Sequence, residues 1–368
     1  MNAEPIAVYV HIPFCPSKCG YCDFNSYAMD GEIVARTASA IRRQILDSPN
    51  RGRTAKTIFF GGGTPTFLSP EFLLPIFEAV CEVHPPVDGA EITSEANPGT
   101  ADAEKFRAMR EAGFNRLSLG AQSFVDDELV RLERVHKASE IDRAVGLARE
   151  AGFDNLNLDL MFALPGQSRF VWERNLRKAI SLGPEHLSLY CLTLEENTKF
   201  YKRHLKGDLV LPEDDEQVAM YEIACELALE HGYGQYEISN FAKVGRECAH
   251  NLCYWRCEEY AGYGPGAVQR VGNVRSTTLK HPERYCEAVE SGGSLACEVE
   301  TVDEELLRTE RIMLGLRLSE GLPLMGLGIP SESVQSLFER GWIEDRDDRL
   351  TLTPAGRHWC SEAALALI

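Results

Sequence analysis

The sequence has no apolar run long enough to cross a bilayer, so no membrane span is expected, and any membrane contact is expected to be peripheral. It also lacks a basic excess. Lysine and arginine number 38 against 56 aspartates and glutamates, a formal net charge of −18. Such a surface has few cations with which to replace the counterions of a phosphate backbone, which argues against nucleic acid as the main partner. The opening MNAEPIAVYVHIPF shows neither the basic n-region nor the cleavage site of a secretory signal. Twelve cysteines are present, yet they are not spaced as a disulfide framework. A reducing cytoplasm, where thiols stay available to metal, is the expected setting. The 368 residues are enough for two or three domains.

What is present is concentrated near the start. Cys15, Cys19 and Cys22 follow a strand-like run in the order Cys-x3-Cys-x2-Cys. Thiolates this close cannot all bridge one another, but they can face one metal centre. They can hold three corners of a [4Fe–4S] cube and leave the fourth iron open as a reaction site. They can equally make a tetrahedral zinc site completed by His11. Spacing alone leaves both readings standing.

The first two-thirds of the chain alternate short apolar runs with amphipathic helical stretches. The expected strands are Ala7–Ile12, Thr57–Phe60, Glu91–Ala96, Arg116–Gly120, Asn155–Met161 and Leu187–Leu192. Helical patterns lie between them, for example Glu71–Val83 after Ser69-Pro70, and Ala101–Ala112 after Thr100. Strand–helix alternation of this kind implies parallel strands with helices outside. An internal echo supports a repeated unit. Arg110-Glu111-Ala112-Gly113-Phe114 and Arg149-Glu150-Ala151-Gly152-Phe153 each lead into a strand, with glycine stopping the helix in the left-handed conformation. The expected fold class is α/β, a partial (β/α)6 TIM-like barrel. Beyond it, a helix over Glu304–Leu318, another over Ser333–Gly341 and two short strands flanking the polar loop Asp345–Arg349 suggest a winged-helix-like module. Glu339, Glu344, Asp345, Asp347 and Asp348 make that end acidic, so packing or partner docking is expected of it rather than DNA binding. The expected division is a barrel over 1–232, an irregular connecting segment over 233–300, and the C-terminal module over 301–368.

In barrels of parallel strands the reactive groups gather at the C-terminal ends of the strands. Here the first strand runs into the cysteine loop and the second into Gly61-Gly62-Gly63-Thr64-Pro65. The third runs into Glu95-Ala96-Asn97-Pro98, the fourth into Gln122-Ser123, and the fifth ends at Asp159. Polar and glycine residues thus recur at one edge, around one opening. The glycine run is not a phosphate loop, since it lacks the Gly-Lys-Ser/Thr ending. Its bare backbone leaves main-chain groups open to a ligand. Glu95 and Asp159 can accept from ribose hydroxyls or an amine, Gln122 offers both donors and acceptors, and Arg134 can pair a ligand carboxylate.

Tyr9-x-His11-x-Pro13-Phe14-Cys15-x3-Cys19-x-Tyr21-Cys22, followed by the Gly61–Pro65 run, resembles the radical S-adenosylmethionine superfamily. More narrowly it resembles the oxygen-independent coproporphyrinogen III oxidase group and its HemW haem-chaperone branch, over nearly the whole chain. Glu95-x-Asn97-Pro98, Gly120-x-Gln122-Ser123, Arg134-x-His136, Asn157-x-Asp159-Leu160 and Leu164-Pro165-Gly166-Gln167 carry the likeness further. The resemblance implies a [4Fe–4S] cluster on Cys15, Cys19 and Cys22. It implies S-adenosylmethionine bound to the fourth iron and contacted by Tyr9, Gly62, Gly63, Thr64, Glu95, Gln122, Arg134 and Asp159.

Within the group, the decarboxylating enzymes carry a fourth cysteine two positions after the third. This chain has Phe24 there, and its Cys22-Asp23-Phe24-Asn25 resembles the chaperone branch. His250-Asn251-Leu252-Cys253-Tyr254-Trp255 is similar to that branch's His-Asn-x-x-Tyr-Trp motif, which implies haem as ligand with His250 on its iron. The implied partners are haem, an apo-cytochrome or other haem acceptor, and a reductant such as flavodoxin or ferredoxin. Cys248, His250, Cys253 and Cys257 also lie close enough for a second thiolate-rich site, or serve as small packed residues. The branch often continues Gly262-x-Gly264-x-Gly266-Ala267 with His-Ser, where this chain has Val268-Gln269.

Overall fold

On the first strand, β1 (Ile6–Ile12), the side chains of Ile6, Val8, Val10 and Ile12 are fully buried in the main core, while Tyr9 and His11 face the other way. This is the two-residue period of a strand with helices packed on one face. The computed structural model describes residues 4–368, so the first three residues of the expected 1–232 unit lie outside the described residues. Five further strands repeat the pattern: β2 (Ala55–Gly62), β3 (Pro86–Ala96), β4 (Arg116–Gln122), β5 (Leu156–Phe162) and β6 (His186–Cys191). Each pairs with the next in parallel, β1 through β6 in chain order. The outward set, for example Ile58, Phe60, Leu117, Leu158 and Leu189, packs beneath the helices. The inward set is polar. The register aligns Thr57 with Glu91, Glu95 with Ser118, Ser118 with Asn157, and Asp159 with Ser188. The lumen of this partial barrel is therefore built for ligands as much as for packing.

The helix starts follow local chemistry. Helix Pro70–Val83 opens with proline in its first turn, where a missing N–H costs nothing. The helix expected from Ala101 begins instead at Ala103, because the Asp102 carboxylate caps it by accepting from the Lys105 N–H at 2.9 Å. Residues 98–100 form a separate short turn tied to Thr66 by the Thr100 hydroxyl at 2.8 Å. In the internal echo, Gly113 (φ 123°) and Gly152 (φ 92°) take the positive φ that glycine tolerates, and Phe114 and Phe153 are buried behind them.

The segment 233–300, expected to be an irregular connecting segment with short strands, has such strands. It contributes β7 (Gly234–Gln235), β8 (Asn240–Ala242), β9 (Tyr260–Tyr263), β10 (Val268–Val271), β11 (Val274–Thr278) and most of β12 (Ala296–Thr301). All join the barrel's own sheet, in the order β12-β11-β10-β9-β1-β2-β3-β4-β5-β6-β8-β7. β9 lies parallel beside β1, and β8 runs antiparallel to β6. Strands of two to six residues are too short to display a period; β7–β8 and β10–β11 are local hairpins, and only the pairing of β9 with β1 and of β8 with β6 is long-range.

The C-terminal residues form a second, smaller core of Ile312, Leu316, Leu337, Ile343, Leu350 and Leu367. Helices Glu304–Gly315, Ser331–Glu339 and Cys360–Leu367 surround a three-stranded sheet of β13 (Leu322–Pro323), β14 (Ile343–Arg346) and β15 (Arg349–Leu352). The polar loop expected over 345–349 shrinks to a two-residue turn. Asp347 and Asp348 both have positive φ (54° and 61°), the requirement of a tight hairpin that matches strand twist.

Candidate functional site

The cysteine loop leaves β1 and closes on itself. The Tyr27 N–H donates to the Pro13 carbonyl at 2.7 Å and the Cys15 N–H to the Tyr27 carbonyl at 3.0 Å. Lys18 Nζ donates to the carbonyls of Phe24 and Ser26, and Asn25 Nδ2 to those of Pro265 and Lys280, which ties the loop to the added strands. The end of β2 is pulled under this loop. Gly63 and Thr64 donate from their backbone to the Ile12 and Phe14 carbonyls at 2.8 and 2.7 Å. A Cβ at Gly63 would stand 2.6 Å from the Phe14 oxygen, and one at Gly62 (φ 104°) 2.3 Å from the His11 ring. Glycine is needed at both positions for steric reasons alone.

A cavity of about 430 Å³ opens here, at the C-terminal ends of the strands. Cys15, Cys19 and Cys22 line one side; Gly62, Gly63, Thr64, Glu95, Gln122, Arg134 and Asp159 line the rest. Ten of the residues expected to act together are thus brought together. The thiols are already in contact with donors. The Thr64 hydroxyl donates to Cys15 Sγ at 3.5 Å, and Arg134 Nη1 to Cys19 Sγ at 3.6 Å. Burial holds the Cys15 and Cys22 thiols above the usual range, a cost that a bound metal removes by taking the thiolate.

The opposite wall is acidic. The Gly62 N–H donates to Glu95 Oε2 at 3.1 Å. Burial first, and the nearby Asp159 second, push the Glu95 carboxyl up to about 8. Asp159 accepts from Asn157 Nδ2 at 2.7 Å and from the Ser118 hydroxyl at 3.1 Å, and burial raises its carboxyl in spite of them. Gln122 sits after a register shift in the β4–β5 pairing with φ 63°, a bulge that turns its side chain toward the cavity. Arg134 is anchored by Nη2 on the Gly120 carbonyl at 2.8 Å. A cationic ligand with an amine, a carboxylate and hydroxyls finds complementary groups on every wall.

Two expected site residues lie elsewhere. Tyr9 does not line the cavity; its hydroxyl donates to His11 Nδ1 at 3.0 Å, one layer below. His11 in turn donates through Nε2 to the Asn25 carbonyl at 2.9 Å, so neither ring nitrogen is available to complete a zinc site. His250 is further down still. It is carried into the base of the barrel by the helix Ala249–Trp255 and is 1% exposed. Its Nδ1 is bonded to the Thr57 hydroxyl at 2.8 Å, its Nε2 to the Tyr254 hydroxyl at 2.9 Å, and its ring stacks on Phe59 at 4.9 Å. As placed, His250 presents no nitrogen to an iron. The helix start is held by Glu91, which accepts from the Ala249 and His250 N–H groups at 3.0 Å each and from Cys248 Sγ at 3.4 Å. Cys253 donates to the Ala249 carbonyl. Among the described residues no three metal-binding side chains converge on a single ion, so Cys248, Cys253 and Cys257 form no second thiolate site as placed.

Residues not singled out in the sequence as site residues are Ser118 and Asn157, which hold Asp159, and Lys18, which lines the cavity. A signal for the first two exists. Each is a polar residue between leucines, Leu117-Ser118-Leu119 and Leu156-Asn157-Leu158, which marks an inward-facing strand position.

The family model of the radical SAM superfamily matches residues 9–179. The chain is 38% identical over 363 residues to the heme chaperone HemW of Bacillus subtilis, covering 95% of this chain and 96% of that one. It is 43% identical over 295 residues to the heme chaperone HemW of Escherichia coli, covering 77% and 76%. Among solved structures, the coproporphyrinogen III oxidase HemN of Escherichia coli superposes with a TM-score of 0.86 over 99% of this chain and 90% of that one, at 21% identity. That last likeness establishes a shared fold.

Proposed function

Since the chain belongs to the HemW family of radical S-adenosylmethionine proteins, we propose that it is a haem chaperone. In this reading it carries a [4Fe–4S] cluster and S-adenosylmethionine, binds haem, and passes it to apo-haemoproteins such as respiratory cytochromes in the cytoplasm or at the membrane face. The observation that carries the reading is full-length relatedness to proteins so named, joined to Phe24 at the place of the enzymes' fourth cysteine. Phe24 stands 63% exposed on the rim of the cavity.

Cys15, Cys19 and Cys22 would hold the cluster, whose fourth iron supplies a chelation site and one-electron chemistry. Glu95 and the Gly62–Thr64 backbone would receive the amine of the cofactor, Arg134 its carboxylate, and Asp159 and Gln122 its hydroxyls. Tyr9 supports this wall through His11. Tyr254 and His250 would meet haem once the helix Ala249–Trp255 withdraws from Thr57 and Phe59. The reductant we assign is an acidic flavodoxin or ferredoxin. The helix Lys199–Leu205, with Lys202, Arg203 and His204 in its last turn, offers such a donor a cationic face, and its Phe200 N–H donates to the Gly20 carbonyl beside Cys19.

The test is joint. Anaerobically reconstituted protein is expected to carry about four irons and four sulfides, to bind haem, and to leave coproporphyrinogen III unchanged under reducing conditions. Decarboxylation of that substrate without haem binding overturns the chaperone reading in favour of the enzyme.

A further inference from the structure

Within the His-Asn-x-x-Tyr-Trp motif, the last residue is placed quite differently from the first. Trp255 lines a groove of about 320 Å³ between the helix Ala249–Trp255 and the C-terminal module. Leu322, Pro323 and Leu327 give the groove an apolar wall, and Arg256, Arg311 and Arg349 stand around it. Glu320 engages two of these guanidiniums, Arg256 at 2.8 Å and Arg349 at 3.8 Å. Arg311 makes no ion pair among the described residues. The groove thus keeps a positive surplus on a chain whose net charge is −18. The Trp255 indole N–H is buried without a hydrogen-bond partner, and the Arg317 guanidinium lies over its ring at 4.7 Å. On the rim Met325 is 89% exposed, a thioether held in solvent rather than in a core.

An apolar slot with an aromatic wall, surplus guanidinium charge and an exposed thioether matches one ligand chemistry well. It suits a flat apolar macrocycle bearing carboxylates and an iron, since arginine pairs carboxylates, aromatic rings pack on ring faces, and thioethers ligate haem iron. We propose that this groove is where a metallated tetrapyrrole first docks, resting on the haem-chaperone reading above. One of its carboxylates meets Arg311, its edge packs on Trp255, and Met325 approaches its iron. The volume takes an edge of the macrocycle and leaves the rest open, which suits cargo that must be given up again. Docking here also sets the ligand against the helix whose other end holds His250.

The test is hemin titration of the full-length protein followed by its Soret band, with Arg311→Glu, Met325→Leu and His250→Ala alongside. Arg311 and Met325 are exposed, so these two variants are expected to keep the parent melting temperature. Arg311→Glu is expected to weaken haem about ten-fold or more, because it replaces an attractive charge with a repulsive one. Met325→Leu is expected to move the Soret band while leaving the affinity for zinc protoporphyrin, which needs no thioether, unchanged. Esterifying both propionates should weaken binding to the parent protein and much less to Arg311→Glu. Unchanged haem affinity and spectrum in both Arg311→Glu and Met325→Leu, with binding lost in His250→Ala, overturns the groove and leaves the chaperone reading intact. Failure of the parent protein to bind haem at all removes both.

Discussion

Acidification from pH 7 to pH 5 is expected to cost the fold about 2 kcal/mol through His250 alone. In an unfolded chain its imidazole takes up a proton near 6.5. In the folded protein burial, with Arg116 and Lys56 adding to it, pulls that value down to about 3. Between these two values the unfolded chain binds a proton that the native state refuses. The stability this histidine permits is therefore complete above about 6.5 and declines as the pH falls below it. At roughly 1.4 kcal/mol per unit, the 1.5 units between 6.5 and pH 5 give about 2 kcal/mol. That value does not depend on where the lower limit falls, provided it lies below pH 5. The assay is urea unfolding of the metal-free protein at pH 7, 6 and 5, against His250→Gln, which keeps a donor and an acceptor for Thr57 and Tyr254. The other buried histidines, among them His136 and His186, titrate in both proteins and cancel. The parent should lose about 2 kcal/mol more than the variant over this range. Parallel stability curves would refute the sequestered, neutral ring and with it the placement of the helix in the barrel base.

Other perturbations test the cavity. Cys19→Ser should lower iron and sulfide well below about four each per chain after reconstitution, and full metal content in that variant rules out the cluster assignment. Glu95 is largely protonated at pH 7 because its carboxyl is raised to about 8, so an ammonium ligand must ionise it. Calorimetry of S-adenosylmethionine binding in buffers of different ionisation heat should report release of up to about one proton, absent in Glu95→Gln; equal release in both proteins refutes the contact. Gly62→Ala forces a side chain into positive φ and to 2.3 Å from His11, and should cost about 1–3 kcal/mol or more in thermal unfolding. An unchanged melting temperature means the loop under Cys15 is looser than described.

The parts of the fold that were legible in the sequence are those with many residues per period. The six parallel strands overlap their expected bounds, with β3 starting five residues early at Pro86, because each carries two to four outward apolar residues at alternate positions. The helix–glycine–strand joints at Gly113 and Gly152 were legible for a different reason, since a positive φ permits few residues other than glycine. The bounds of β7–β12 were not, because the strands are too short to display a period, and their place at the two edges of the sheet rests on the long-range pairing of β9 with β1 and of β8 with β6. The cavity was mostly legible because strand ends converge whatever the side chains. The depth of Tyr9 and His250 was not legible, because motifs give identity and order, not depth. Tyr9 lies two residues before His11 on the same inward face, hence one layer lower. His250 reaches the base of the barrel through a helix whose docking onto Glu91 is a contact 158 residues away in the chain.

The helix that carries His250 stoppers the lower end of the barrel, while the upper end opens between Phe24, Val135 and the cysteine loop. Passage through that mouth imposes a queue: whatever enters first leaves last. A partner resting across Phe24 would therefore control the traffic of a small molecule bound beneath it, and exchange of that molecule would be timed by the departure of its cover.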